Sequence, residues 1–327
     1  MFWSSAVSLL AVHASLVAGH PGGNHEHELA VRREHLQNSR SNLSHCAKSL
    51  EARGITKRSI ERRVAVARSL EGEVSANVYP NQHAVDISAF ASNASCALSP
   101  EEILGPYYVA GEYVREDVRE HQVGVPLTLD IQFIDSSTCE PVAGKYIELW
   151  GANSTGVYGG VVAPENGNGN GDPGNLKNSW LRGVQKSDED GVVQFRTIFP
   201  GHYIGRTNHL HVLVHPDAKP FPNGTILSTT ASFVGQLYFP QELANRVEKR
   251  APYNTNKQPV TSNSKDEFLQ GDLAQGGNPI IDYKLVTNDI SGGVIGWLAY
   301  GIDVEKEETV QPIHTFNARE AEETQAY

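Results

Sequence analysis

Apolar and polar residues alternate along much of the chain from residue 125 onward. The segments in which this alternation coincides with β-branched or aromatic residues are 127–134, 145–150, 192–199, 209–215, 231–239, 280–286 and 294–304. Between these segments, only residues 240–249 carry a helical pattern. Many short strands with few intervening helices predict a mainly β fold, either a sandwich or a barrel.

The N-terminal part of the chain has a different pattern. Residues 26–70 favour helix, with leucines at positions 29, 36, 43 and 50, and Gly54 predicts a helix end. One leucine in each heptad supplies only half of a coiled-coil seam, so a coiled coil has little support. We therefore expect a signal peptide at 1–19, a basic helical arm or propeptide at 20–75, a linker at 76–95, a β-sandwich domain at 96–310 and a tail at 311–327.

Three features of the sequence predict export. Residues 1–19 form an apolar run that is too short for a membrane span and is typical of a secretory signal peptide. Asn-x-Ser/Thr sequons, which are glycan acceptors where they are exposed, occur at Asn42, Asn93, Asn153 and Asn223. The three cysteines allow one disulfide in an oxidising compartment. We expect it between Cys96 and Cys139, which both flank folded sequence, because Cys46 lies in an arm that processing would remove.

The net charge of −11 conceals a basic arm. Residues 31–70 contain ten Lys or Arg residues and three acidic residues, whereas the rest of the chain is acidic. Because the arm lacks interleaved aromatic residues and belongs to a secreted chain, the sequence favours an intramolecular or propeptide role over contact with nucleic acid or membrane. The dibasic pairs Lys57-Arg58 and Arg62-Arg63 are either processing sites or solvated helix faces.

Two histidines form half of a candidate metal site. His209 and His211 alternate with apolar residues, so both side chains lie on one face of the predicted strand. Tyr203 stands in the turn before them, and Tyr158 follows another turn upstream. Two neutral imidazoles and two phenolates suit Fe(III) better than Zn(II), and position 211 lacks the acid of an Fe(II) facial triad.

Three motifs in this order resemble those of the intradiol ring-cleavage dioxygenases, and of their secreted fungal branch in particular. They are LGPYYVAGE at 104–112, WGANSTGVY at 150–158 and PGHYIGRTNHLH at 200–211. The resemblance implies a non-haem ferric ion between the two sheets of a β-sandwich, held by Tyr158, Tyr203, His209 and His211. It also implies that a catechol-type diol and O2 are the substrates, with cleavage between the two hydroxylated carbons to a cis,cis-muconate-type product.

The resemblance also implies roles for further residues. Tyr203 would leave the iron when the diol binds and accept a proton from the second hydroxyl. Arg206 and Gln236 match positions that line the substrate site, where they would stabilise developing negative charge. Tyr107 and Tyr108 either line the pocket or pack the sandwich.

A non-enzymatic β-sandwich module that binds cell wall or matrix is the alternative function. It would explain the strands and the sequons, but it gives no reason for four metal-ligand residues in the order of the family. The sequence leaves the preferred diol and the oligomeric state open.

Overall fold

The long alternating segments form two β-sheets that pack face to face. The computed structural model describes residues 43–77, 90, 96–97, 104–167, 171–274 and 276–316. The strands are β1 Cys96–Ala97, β2 Val109–Ala110, β3 Glu112–Tyr113, β4 Pro126–Asp135, β5 Tyr146–Gly151, β6 Arg182–Lys186, β7 Val192–Ile198, β8 His209–His215, β9 Thr225–Ile226, β10 Thr230–Ala231, β11 Phe233–Tyr238, β12 Asp282–Leu285, β13 Val294–Ile302, β14 Glu308–Thr309 and β15 His314–Thr315. The α-helices are α1 Ala47–Ala52, α2 Ile55–Asn77, α3 Gln241–Val247 and α4 Glu267–Ala274.

The two sheets have different strand orders. The first sheet has the order β1-β13-β4-β7, with β12 also paired to β13, and β13 runs parallel to β4. The second sheet has the order β11-β8-β5-β6, and its neighbouring strands are antiparallel. The remaining short strands pair with one another in the connecting segments.

The core lies between the sheets and follows from the period of two. Alternate residues of both sheets point inward and form one apolar cluster, which includes Leu127, Leu129 and Ile131 of β4 and Leu210, Val212 and Val214 of β8. The other face of each sheet is therefore left for a second layer. The predicted mainly β sandwich is confirmed.

The N-terminal arm covers the outer face of the first sheet. Gly54, with a φ of +70°, separates α1 from α2 at the predicted helix end. Apolar residues of α2, Val64 and Ala67 among them, pack against Trp297 of β13. Asp130 of β4 binds two arginines of the same helix. Within the described ranges, no helix is long and apolar enough to span a membrane.

The sequence pattern located the main strands but missed strand β6, helix α4 and several two-residue strands. The long strands and α3 lie where the patterns predicted them, and this prediction is confirmed. Strand β6 and helix α4 were not predicted, and the expectation that helix outside the arm is confined to residues 240–249 is wrong. Strand β6 can contain a buried arginine because the Arg182 side chain forms an ion pair with Glu112. Such a strand lacks the apolar alternation on which the prediction depended.

The predicted disulfide is wrong, because Cys139 is bonded to Cys46 and not to Cys96. The 3₁₀ turn Leu43–Cys46 packs against the turn after β4, where a ring nitrogen of His45 lies 2.9 Å from the carbonyl oxygen of Ser136. This contact brings the two bonded Cα atoms to 5.3 Å, within the usual range for a disulfide. The arm is thereby linked covalently to the sandwich.

Candidate metal centre

Strand β8 presents its histidines on the outer face of the second sheet. His209 and His211 point away from the core that Leu210 and Val212 enter, and their ring centroids lie 4.9 Å apart. The space between the sheets, where the resemblance implied the metal, is filled by the apolar core. A second apolar cluster, formed by the connecting segments and by Trp150 of β5, covers the histidine face instead. The candidate centre is therefore buried beneath loops.

Two turns bring the phenols to the histidines. The Tyr203 hydroxyl lies 3.1 Å from Nε2 of His209, and the Tyr158 hydroxyl lies 3.2 Å from Nε2 of His211. The two phenol rings are 5.6 Å apart. The structure thus brings together all four residues that the sequence singled out as metal ligands.

Backbone contact between the two turns sets this arrangement. Gly156 has a φ of +81°, and a Cβ atom at this position would lie 2.1 Å from the carbonyl oxygen of His202. The N–H of Gly201 donates to the carbonyl of Asn153 at 3.0 Å. Only a residue without a side chain permits the approach at Gly156, and this approach places the two phenols side by side.

The imidazoles are neutral and oriented for binding a metal. Nδ1 of His209 donates to the carbonyl of Thr207 at 2.7 Å, which leaves the lone pair of Nε2 directed at the Tyr203 hydroxyl. The His211 ring stacks on Trp150, with centroids 4.8 Å apart and planes 6° from parallel. Burial, supported by the positive charge of Arg206, lowers the pKa of both histidines well below their ordinary value. Both are therefore available as neutral ligands.

The phenols need a cation in order to ionise. Burial raises the pKa of Tyr158 well above its ordinary value and also raises the pKa of Tyr203. A bound metal ion reverses this tendency by favouring the phenolates. Two phenol oxygens and two imidazole nitrogens are gathered in hydrogen-bonded pairs, so the residues present fit a trivalent iron ion.

Comparison with known proteins agrees with the geometry. A family model described as Dioxygenase matches residues 103–248. The intradiol ring-cleavage dioxygenase from Tetranychus urticae has a solved structure that is 28% identical and covers 67% of this chain and 99% of its own, with a TM-score of 0.52. The chain is therefore similar to the intradiol ring-cleavage dioxygenases over most of the sandwich.

Two further proteins are also similar to this chain. Another dioxygenase of known structure is 27% identical, with a TM-score of 0.51, over 67% of this chain and 98% of its own. Catechol 1,2-dioxygenase 1 of Acinetobacter lwoffii is 32% identical over 111 residues, which are 32% of this chain and 32% of that protein. The chain thus matches about a third of the length of this curated relative.

The Arg206 guanidinium is held beside the four candidate ligands. Its Nε donates to Asp266 at 2.9 Å, and its NH2 group donates to Gln236 at 2.6 Å and to the hydroxyl of Tyr238 at 3.0 Å. The guanidinium also lies 4.2 Å from the ring centroid of Phe268. Arg206 and Gln236, singled out in the sequence, are therefore in direct contact.

Sequence reasoning missed Asp266 and Phe268, because both come from the unpredicted region of α4. The sequence did contain an indication of that helix. Asp266 is followed by a helical segment, and its carboxylate accepts the N–H groups of Phe268 and Leu269, as an N-cap does. The remaining carboxylate oxygen binds Arg206 and the N–H of Thr207.

The two tyrosines of the first motif have different surroundings. The Tyr107 ring lies 4.9 Å from the Tyr158 ring and 6.2 Å from the Tyr203 ring, and its buried hydroxyl has no hydrogen-bond partner among the described residues. The Tyr108 hydroxyl donates to the carbonyl of Ser228, and its ring packs on Trp150. Tyr107 therefore belongs to the centre, whereas Tyr108 packs behind it.

A buried charged cluster supports the centre from behind. Arg182 donates to the carbonyls of Gly159 at 2.8 Å and Tyr107 at 2.7 Å, and it pairs with Glu112 at 3.3 Å. Burial raises the pKa of Glu148 to about 8 and lowers the pKa of His215 to about 4. Glu148 and His215 are in contact at 2.7 Å, and burial favours the neutral form of each group. Burial also raises the pKa of Glu112 well above its ordinary value, and the neighbouring Arg182 opposes this shift.

The sequons fall in different surroundings. Asn223 is exposed in the turn before β9, and Asn153 is half-buried, with its side-chain oxygen accepting from Thr155 and Val157. Asn42 and Asn93 lie outside the described residues, as do the predicted signal peptide and residues 317–327 of the predicted tail. Glycosylation at these positions stays a prediction.

Proposed function

We propose that this protein is a secreted, non-haem Fe(III)-dependent dioxygenase that opens catechol-type diols between the two hydroxylated carbons, giving cis,cis-muconate-type products. The observation that carries the proposal is the convergence of two buried phenols and two neutral imidazoles in a chain similar to the intradiol dioxygenases. Tyr158, Tyr203, His209 and His211 would hold the iron. When bound, the ferric ion supplies a Lewis acid that chelates the diol and activates its ring towards O2.

Tyr203 is the phenol placed to exchange a proton with substrate. It lies in the turn whose next residue, Ile204, is 46% exposed, whereas Tyr158 is fully buried and followed by a closely bonded loop. We assign Tyr203 Oη as the acceptor of the proton from the second diol hydroxyl. Tyr158 stays in place as the permanent ligand.

Arg206 and Tyr107 provide the substrate-facing polar groups. Arg206 is held on several sides, so its charge is already oriented to stabilise negative charge that develops on the diol during cleavage. The buried Tyr107 hydroxyl, which has no partner among the described residues, is available to a polar group of the substrate. Gln236 keeps the Arg206 guanidinium in position.

Secretion is part of the proposal. Its support consists of the apolar N-terminal run, the disulfide between Cys46 and Cys139, which persists in oxidising compartments, and the exposed sequon at Asn223. The alternative of a non-enzymatic cell-wall or matrix module leaves the buried phenols and imidazoles without a purpose. We therefore prefer the enzyme.

Iron analysis, visible spectroscopy and product analysis together test the proposal. We expect the protein purified from iron-replete medium to contain one iron per chain and to be coloured by phenolate-to-iron charge transfer. An oxygen-uptake panel of substituted catechols, with mass analysis of the products, distinguishes intradiol from extradiol cleavage and ranks the diols. A colourless, iron-free protein that leaves catechol unconsumed would refute the proposal.

A further inference from the structure

The segment that follows Tyr158 is anchored in the protein by two asparagines. Residues 163–178 are rich in Gly and Asn, and the sequence predicts a mobile loop that does not pack. In the structure, Asn166 is 1% exposed and Asn175 is 3% exposed. The expectation that the loop does not pack is therefore wrong at these two positions. Fully buried amides require specific hydrogen-bond partners, and these partners identify what the asparagines do.

Both asparagines bind the backbone of the candidate ligand Tyr158. The side-chain oxygen of Asn166 accepts the N–H of Tyr158 at 2.7 Å, and its Nδ2 donates to the carbonyls of Tyr158 and Val161 at 2.9 Å each. Nδ2 of Asn175 donates to the same two carbonyls, at 2.9 Å and 2.6 Å. Side chains of the loop thus satisfy both backbone polar groups of Tyr158.

The two asparagines are themselves held in place. Asn175 lies in the 3₁₀ helix Pro173–Lys177, where Asp172 accepts the N–H of Gly174 at 2.9 Å. The carbonyl of Asn175 accepts from Gly160 at 2.9 Å, and its side-chain oxygen accepts from Asn178 at 2.9 Å. The bonds therefore run from a capped helical turn to the backbone of one candidate metal ligand.

We propose that Asn166 and Asn175 are positioning residues, which clamp the Tyr158 backbone so that its phenol oxygen stays opposite Nε2 of His211. The inference rests on the proposed role of Tyr158 as an iron ligand. Groups behind a metal ligand fix its orientation, and errors of about 0.5 Å in a ligand position impair a site. The strands cannot supply this restraint, because Tyr158 lies beyond the end of β5.

The clamp predicts a local effect in the metal-free protein. Asn166→Ala removes the acceptor of the Tyr158 N–H, so native-state hydrogen exchange at that amide should accelerate by about tenfold or more. Asn254→Ala is the matched control, because Asn254 is an exposed asparagine whose side chain makes only a 3.5 Å bond to the carbonyl of Lys249. We expect exchange at Tyr158 to be unchanged in this control.

The clamp also predicts a spectroscopic change in the iron-loaded protein. Asn166→Ala and Asn175→Ala should shift and weaken the phenolate-to-iron charge-transfer band at temperatures where circular dichroism shows the variants to be folded. A loop that serves only stability would lower the melting temperature and leave the band of the folded protein unchanged. If an alanine variant does not fold, Asn166→Asp or Asn175→Asp, which keep the side-chain volume but replace the donor by an oxygen, take its place.

The outcomes separate the clamp from the proposed function. A wild-type protein without iron or colour refutes the proposed function, and the hydrogen exchange of Tyr158 still tests the clamp. A coloured wild type, together with folded variants that keep both its band and its exchange rate at Tyr158, overturns the clamp and leaves the proposed function intact. Accelerated exchange and a shifted band, both absent in Asn254→Ala, support it.

Discussion

Tyr158 and Tyr203 face the same small space but are held differently. Loop side chains bind the backbone of Tyr158, whereas Tyr203 stands in a short turn in which Arg206 donates to its carbonyl at 3.2 Å. Tyr203→Phe should therefore lower kcat by about a hundredfold or more, the usual effect of losing a general base, while most of the iron is retained. Steady-state kinetics and iron analysis of the same preparation check this expectation.

His209→Ala is the comparison for the Tyr203 variant. The His209 imidazole is fixed by Thr207 and is predicted to be a permanent ligand, so its loss should remove most of the iron. If Tyr203→Phe loses iron as completely as His209→Ala, then the assignment of Tyr203 as proton acceptor is wrong. In that case both residues serve mainly to retain the metal.

Asp266 should control activity without touching the metal ligands. The Asp266→Asn variant keeps an oxygen that caps α4 but removes the charge that orients Arg206, so kcat/KM should fall by roughly a hundredfold. Iron content and the charge-transfer band should stay at wild-type levels, because neither depends on the Arg206 orientation. The control is Glu267→Gln, which neutralises the exposed acid next in the chain. Equal effects of the two substitutions would contradict a specific role for Asp266.

Among individual residues, the sequence predicted the candidate metal ligands but not the residues that hold those ligands and Arg206 in place. The alternation along the predicted strand identified His209 and His211 as candidates. The two tyrosines were identified by their positions in motifs that resemble those of a known family. Asp266 lies 60 residues from the arginine that it binds, and nothing local connects the two. Asn166 and Asn175 were misjudged because the same amide groups that favour exposed turns also satisfy buried backbone groups.

Among the elements, strands with apolar alternation were predictable, and elements with a polar sequence were not. Strands β4, β8 and β13 are buried on both faces, and their sequences are correspondingly rich in branched residues. Strand β6 carries Arg182, Gln185 and Lys186, and the buried guanidinium of Arg182 pairs with Glu112, which is distant in sequence. A pattern search cannot detect that compensation, because it depends on tertiary contact.

Helix α2 is attached to the first sheet by a buried ion cluster. Asp130 accepts from Arg62 at 2.7 Å, from Arg63 at 3.2 Å and from Gln194 at 3.0 Å. The view of Arg62-Arg63 as a solvated helix face is therefore wrong. Asp130→Asn leaves two arginines without their counter-ion and should lower the free energy of unfolding by about 3–5 kcal/mol in urea at pH 7.

The stability difference caused by Asp130→Asn should depend on pH. Burial alone would raise the pKa of Asp130, but Arg62 and Arg63 outweigh it and hold the pKa below its ordinary value of 3.8. The stabilisation by Asp130 is therefore complete at pH values above the pKa of its carboxyl in the unfolded chain. It is lost as the pH falls through the lower pKa of the same carboxyl in the folded protein. We expect the difference to shrink below about pH 4. Asp117→Asn, which disrupts an exposed pair with Arg119, should change stability by about 1 kcal/mol or less.

In the whole molecule, ion pairs connect the basic arm to the acidic sandwich. Arginines of the basic arm bind acidic side chains of the sandwich, as Arg53 does with Glu140 and Arg58 with Asp190. These contacts support the intramolecular role that the sequence favoured for the arm. Part of the positive charge of the arm is thus compensated by acidic residues of the same chain.

The disulfide should make a large contribution to stability. Cys46 and Cys139 are 93 residues apart, and closing a loop of that length stabilises a protein by about 4.6 kcal/mol in the chain-entropy model. Cys46→Ser should lower the urea midpoint accordingly, whereas Cys96→Ser should leave the bridge in place. Thiol titration in denaturant without reductant should find one thiol in the wild type and none in Cys96→Ser. A reactive thiol that persists in Cys96→Ser would contradict the pairing.

Processing at the dibasic pairs has a consequence that depends on the same bridge. Both dibasic pairs lie in α2, but Arg62 and Arg63 are largely buried against Asp130, whereas the Arg58 side chain is half exposed near the start of the helix. A protease specific for basic residues should therefore cut the native protein first near Arg58. Cleavage there leaves residues 43–58 attached through Cys46. A non-reducing gel should therefore show one species and a reducing gel two, with Cys46→Ser giving two in both. Release of the N-terminal fragment from the wild type without reductant would show that the arm is a detachable propeptide, whereas its retention makes the arm a lasting part of the folded enzyme.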